Sequence, residues 1–182
     1  MKYLVFSDLH GDYEACKRII DEFNLNDCDK LICLGDLLYH GPRNDLPSGH
    51  NPKKVIELLK PYNDKLIWAQ GNCDAEVDEM VMEINYKRFF DINLNNREFV
   101  LTHGHHLSKH KPDKNLSKGT VVMYGHYHIF DRTVIDGVTY LNIGSASIPK
   151  DGKKQYAIID ETNITVFDSD NQIIFQENLL NL

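Results

Sequence analysis

Short apolar runs and helically spaced apolar positions take turns along the first part of the chain. Residues 2–6 form a nearly unbroken apolar run of strand length. Asp12 then precedes Ala15, Ile19, Ile20 and Phe23, which share one face of a helix that the Asp12 carboxylate can cap. Residues 30–34 repeat the strand pattern. Pro52 suits the first turn of a helix, where its missing N–H has no partner to lose, and Val55, Leu58 and Leu59 supply that helix's apolar face. Residues 65–69 make a third run. Strand, helix, strand, helix, strand predicts parallel pairing through crossover helices.

The second half reads differently. Residues 88–94 and 97–101 flank Asn95-Asn96, and residues 133–135 and 138–143 flank Asp136-Gly137. Both dipeptides tolerate the left-handed backbone of a tight hairpin. Short strands follow at 156–159, 164–167 and 173–176. The expected fold is mixed α/β, parallel early and antiparallel late, with two packed sheets and helices outside. No repeat, low-complexity tract or linker divides the 182 residues, so one domain over 1–182 is expected. A loop rich in Pro, Gly, Asn and His fills the interval from Leu38 to Asn51, and loops at strand ends border the ligand crevice of α/β sheets.

Charge narrows the partners. The formal net charge of -7 weighs against a surface built to wrap nucleic acid. It leaves phosphate-bearing substrates open, because bound cations can supply positive field locally. The apolar run before Asp8 is too short for a signal-peptide core, and nothing approaches the length of a membrane span. Cys16, Cys28, Cys33 and Cys73 show neither metal-knuckle spacing nor disulfide density. A cytoplasmic, reduced protein with no membrane association is expected.

Five apolar runs end in metal-donor residues: Asp8-Leu9-His10, Gly35-Asp36, Gly71-Asn72-Cys73-Asp74, His103-Gly104-His105 and Gly125-His126-Tyr127-His128. Carboxylate, amide and imidazole are the oxygen and nitrogen donors that divalent cations take. In Asp8/His10 and His126/His128, an extended chain would put both side chains on one face, so each pair could pinch one cation. Any one such residue is ordinarily a turn or cap residue. The joint pattern changes that reading, since six of the nine histidines fall between His103 and His128.

In order and content, these motifs resemble the five motifs of the calcineurin-like metallophosphoesterase superfamily. Gly-Asn-Cys-Asp at 71–74, with His40-Gly41-Pro42-Arg43-Asn44 and Leu46-Pro47 upstream, resembles the YfcE-type bacterial phosphodiesterases. The resemblance implies a four-layer αββα sandwich with its site at the strand ends. It also implies that Asp8, His10 and His128 hold a first divalent cation, that Asn72, His103 and His126 hold a second, and that Asp36 bridges them. Mn²⁺ is the expected metal, with Zn²⁺, Fe and Mg²⁺ also fitting these donors. The implied activity is hydrolysis of a small phosphodiester by a metal-bridging hydroxide. A phosphomonoesterase or nuclease would use the same site. A non-catalytic interaction scaffold, as in a retromer-type subunit of this fold, would be marked by degenerate donors. Relatives also imply a homo-oligomer. Many members of the superfamily carry histidine where Cys73 stands, so Cys73 and His105 are the candidate general acids, with pocket shaping as the alternative for Cys73. Arg43, Asn44 and His50 are candidates for phosphate contact or plain loop residues. His106 and His110 are expected to be solvated.

Overall fold

The computed structural model describes residues 1–181. Its strands are β1 Tyr3–Phe6, β2 Lys30–Cys33, β3 Leu66–Trp68, β4 Phe90–Leu94, β5 Arg97–Leu101, β6 Val121–Tyr124, β7 Phe130–Ile135, β8 Val138–Ile143, β9 Gln155–Ile159, β10 Asn163–Asp168 and β11 Ile173–Asn178. The helices are α1 Tyr13–Leu25, α2 Pro52–Leu59 and α3 Glu76–Met82.

Two mixed sheets form. One has the order β11-β10-β9-β1-β2-β3 and the other β4-β5-β6-β8-β7. β1, β2 and β3 pair in parallel, as the alternating pattern predicts. β1 is buried along its whole length because each of its faces meets a different layer. Leu4 and Phe6 pack with Ala15, Ile19 and Phe23 of α1, whereas Tyr3 and Val5 pack against Phe99, Val121 and Leu141 of the second sheet. Each such side chain, fully buried, contributes about 1.5–3 kcal/mol. Asp12 caps α1 by accepting from the Ala15 N–H at 3.1 Å, and Pro52 opens α2.

Three features depart from the sequence pattern. The later half is not purely antiparallel, because β5, β6 and β8 pair in parallel. Residues 102–120 are long enough to return the chain for that pairing, yet they carry no helical period to announce a crossover. Those same residues cover the outer face of the second sheet, where Leu107 and Leu116 pack on Val100, Val122, Tyr124 and Tyr140. Helix α3 was not anticipated. It buries Asp78 and Met82 but exposes Val77, Met80 and Val81, so its apolar residues form no stripe.

Candidate metal centre

The C-terminal ends of β1, β2, β3, β5 and β6 meet along one edge of the sandwich, and each is followed by its donor residues. Asp8, His10, Asp36, His126 and His128 all have left-handed backbone, with φ of 53°, 50°, 56°, 69° and 61°. The expectation of an extended chain at Asp8/His10 and His126/His128 is therefore wrong. These side chains converge because the backbone turns sharply at each donor, not by strand alternation. Such conformations cost ~1–3 kcal/mol each and persist only where surroundings enforce them.

The enforcing groups are identifiable. Asp8 and His10 N–H groups donate to the carbonyls of Gly35 and Asp36 at 3.0 and 2.9 Å. The Asp8 carbonyl accepts from Ser145 Oγ and Ser147 Oγ at 2.9 and 2.8 Å. The buried Asp74 carboxylate accepts from the N–H groups of Asp36, Leu37 and Gly71 and from Trp68 Nε1, at 2.7–3.2 Å, tying the β2 and β3 ends together. A Cβ at Gly71 would collide with the Asp36 carboxylate and backbone N, and one at Gly125 with Ser7 Oγ and Asp8 Oδ2. Only glycine permits those approaches.

Hydrogen bonds also set the imidazoles. Nδ1 of His10, His103 and His128 donates to the carbonyls of Tyr39, Leu34 and Ile148 at 2.8, 2.8 and 2.9 Å. In the neutral rings this leaves each Nε2 as a lone pair directed inward. His10 Nε2 and His128 Nε2 are 3.4 Å apart, two lone pairs facing one another, with Asp8 Oδ1 3.1 Å from His128 Nε2. Asp8 Oδ1 is buried and accepts no hydrogen bond among the described residues. Asp36 Oδ2 lies 3.3 Å from His103 Nε2 and 3.8 Å from His10 Nε2. Asn72 Oδ1 and His126 Nδ1 stand 3.1 and 3.2 Å from His103 Nε2. Oxygen and imidazole nitrogen atoms converging in this way are the donor set that a divalent cation takes.

The electrostatics agree. Burial would raise the Asp8 carboxyl, but His103, His10 and His128 outweigh it and hold Asp8 well below the ordinary carboxylate value. Burial would likewise raise the Asp36 carboxyl, but His103 outweighs it and holds Asp36 below the ordinary carboxylate value. Burial would lower His103, yet Asp8 and Asp36 push it up to about 9. Burial and the charge of His103 push His105 and His126 down to about 4. With no cation bound, one proton on His103 takes up part of the positive charge that the two carboxylates demand.

All seven expected donors thus meet at one point. Cys73 is half-buried beside them, and its Sγ lies within 4.8 Å of donor atoms of His10 and Asp36. Burial and then Asp36 push its thiol up to about 12. His105 lies against His106, ring centroids 4.0 Å apart and tilted by 44°, and its ring centroid is 5.4 Å from that of His103. His106 is exposed, and so is His110, which lies against Tyr127. His50 supports the site from behind, with Nδ1 donating to the His10 carbonyl at 2.9 Å. Asn44 closes its own loop by donating to the His40 carbonyl at 2.7 Å. The sequence reading missed the supporting roles of Ser145, Ser147 and Asp74. The run Gly144-Ser145-Ala146-Ser147 does follow a strand, but hydroxyls are not metal-donor types and gave no signal.

This edge of strand-end carboxylates and inward-facing imidazoles defines a metallophosphoesterase. Residues 1–163 match the model of the calcineurin-like phosphoesterase superfamily domain, and the chain belongs to that superfamily of hydrolytic, divalent-cation-using enzymes. It is 34% identical to phosphodiesterase YfcE of Escherichia coli K12 across 100% of this chain and 99% of that protein. It also resembles phosphodiesterase MJ0936 of Methanocaldococcus jannaschii, at 27% identity over 79% of this chain and 83% of that one. The solved structure of E. coli YfcE, described as a phosphoesterase, superposes with a TM-score of 0.93 at 35% identity, covering 98% of this chain and 100% of that one.

Proposed function

We propose that this protein hydrolyses small phosphodiesters at two divalent cations. Asp8, His10 and His128 hold one, Asn72, His103 and His126 hold the other, and Asp36 lies between them. The observation that carries the metal reading is the set of inward lone pairs, above all His10 Nε2 facing His128 Nε2 at 3.4 Å. Full-length similarity to a phosphodiesterase supports diester over monoester. We propose Mn²⁺ as the native metal on the resemblance to the YfcE-type phosphodiesterases; the mixed oxygen and nitrogen donors accept it as they accept Zn²⁺, Fe or Mg²⁺. Bound there, such cations supply Lewis-acid neutralisation of phosphoryl charge and acidify water.

The chain's own groups do the rest. The carbonyls of Tyr39, Leu34 and Ile148 fix the tautomers of the donor imidazoles. The Asp36 carboxylate is held by the Cys73 N–H, which donates to Oδ1 at 2.8 Å and leaves Oδ2 facing the histidines. A cleft of about 810 Å³ above the donors suits a small diester. Cys73 lines that cleft directly after Asn72, and on that position it is the group we assign to protonating the leaving oxygen. His105 packs beside His103 and His126, with ring centroids 5.4 and 6.1 Å away, and burial and the charge of His103 push it down to about 4, which leaves it no acidic proton to give at neutral pH. The net charge of -7 supports a small substrate over nucleic acid, and no described helix is long and apolar enough to cross a membrane. We further propose a homo-oligomer, with the exposed Val77, Met80 and Val81 of α3 as the surface it covers.

The test is hydrolysis of bis(4-nitrophenyl) phosphate, 4-nitrophenyl phosphate and a short oligonucleotide after loading with Mn²⁺, alongside metal analysis. The diester should be preferred, and inactivity on all three with metal bound would refute the reading. For Cys73→Ala, we expect a loss of roughly a hundredfold on diesters with alkoxide leaving groups and little change on 4-nitrophenyl esters. Equal losses on both would remove Cys73 from the role of acid.

A further inference from the structure

We propose that Arg43 and Lys150 make the cleft selective for phosphodiesters that carry a second anionic group, such as a phosphate monoester, on one of their arms. The proposal rests on the phosphodiesterase reading above and names the substrate class within it.

Both side chains line the cleft over the donor residues, and both are exposed. Neither pairs with a carboxylate among the described residues. The carboxylates that line the same cleft are Asp36 and Asp74. Asp36 faces the histidines, and Asp74 is occupied by four N–H donors. With both of those carboxylates engaged, Arg43 and Lys150 are the charged side chains of the cleft left free to meet an anion, in a chain with 27 acidic and 20 basic residues.

Their backbones are anchored to the site. Lys150 N–H donates to the His128 carbonyl at 2.8 Å, and Ile148, two residues earlier, accepts from His128 Nδ1 at 2.9 Å. Arg43 follows Gly41-Pro42. A Cβ on Gly41 would lie 2.8 Å from Cys73 Sγ, so this loop rests on the floor of the cleft. Pro42 stiffens it, and Asn44 closes the turn. Each cation therefore extends from a segment held in register with the donors.

Charge balance says what they are for. Two divalent cations against the carboxylates of Asp8 and Asp36 already exceed the single negative charge of a diester phosphate. Additional cations in the wall gain nothing from that phosphate. They gain from an anion further along the same molecule, which an uncharged arm lacks.

The experiment uses two 4-nitrophenyl phosphodiesters that share a propyl arm, one ending in hydroxyl and the other in a phosphate monoester. Metal-loaded wild type should favour the phosphorylated arm through KM, and added salt should erode that preference. Arg43→Gln and Lys150→Gln should each cut the kcat/KM ratio about threefold, and the double variant about tenfold. Lys150→Arg should retain the preference, and Lys150→Glu should invert it. Wild type that hydrolyses the hydroxyl-ended diester without favouring the phosphorylated one overturns this inference and leaves the phosphodiesterase reading standing. So does a preference that survives in the double variant. Hydrolysis of neither substrate sinks both.

Discussion

Asp36→Asn is expected to abolish measurable turnover and to strip the protein of tightly held metal, while the fold survives. Asn preserves the volume of the side chain and can still accept from the Cys73 N–H, which donates to Asp36 Oδ1 at 2.8 Å. It cannot preserve the charge that Oδ2 presents 3.3 Å from His103 Nε2 and 3.8 Å from His10 Nε2. An amide has one neutral acceptor where two cations would share a carboxylate. The site would then hold two divalent charges against the carboxylate of Asp8 alone. A loss of about 10³-fold or more in kcat/KM is the scale for removing such electrostatic support. Metal analysis after dialysis should find about one equivalent or less per chain. Circular dichroism should remain that of wild type, because Asp36 contributes its backbone, not its carboxylate, to the Asp74 hydrogen bonds. Full metal content with undiminished activity would refute the assignment.

The second large effect is on metal affinity as a function of pH. In the metal-free protein His103 is raised to about 9, chiefly by Asp8 and Asp36 working against burial. His103 must give up that proton before its Nε2 can serve a cation. Below pH 9 the apparent affinity should therefore fall by about tenfold per pH unit, with about one proton released per chain on loading. Above pH 9 the dependence should flatten. Stability of the metal-free protein runs the other way. A histidine raised in the folded state contributes stability that is fully present below its unfolded value and is lost as pH rises through about 9. Chelated protein should thus melt at lower temperature at pH 9 than at pH 6.5, whereas loaded protein should lose metal toward the acidic side. Titration calorimetry in buffers of different ionisation enthalpy reads the released proton. Release of none near pH 7 would remove His103 from the metal site.

Legibility in the sequence followed the physics of each element. β1 was readable because both its faces are buried, which makes Tyr3-Leu4-Val5-Phe6 a continuous apolar run. α1 was readable because Asp12 caps it and Ala15, Ile19, Ile20 and Phe23 share a face. The hairpin at Asn95-Asn96 was readable because both residues accept left-handed φ, at 51° and 61°. α3 was not, since Val77, Met80 and Val81 point to solvent and leave no periodic signal. The parallel pairing of β5, β6 and β8 was not, because residues 102–120 return the chain without a helix.

The sequence by itself determined which candidate donor residues this protein carries, in what order, and that each follows an apolar strand. Residue type and the local strand-end pattern suffice for that. Tertiary structure alone decided how they meet. The left-handed turns at Asp8 and Asp36 are held by bonds from remote segments: Asp74 across the strand ends, and Ser145 and Ser147 more than a hundred residues from Asp8. The inward lone pairs exist because carbonyls of Tyr39, Leu34 and Ile148, none of them a donor motif, take the opposite ring protons. Local sequence can name a ligand atom, but the direction in which its lone pair points is fixed by partners that only the folded chain brings near.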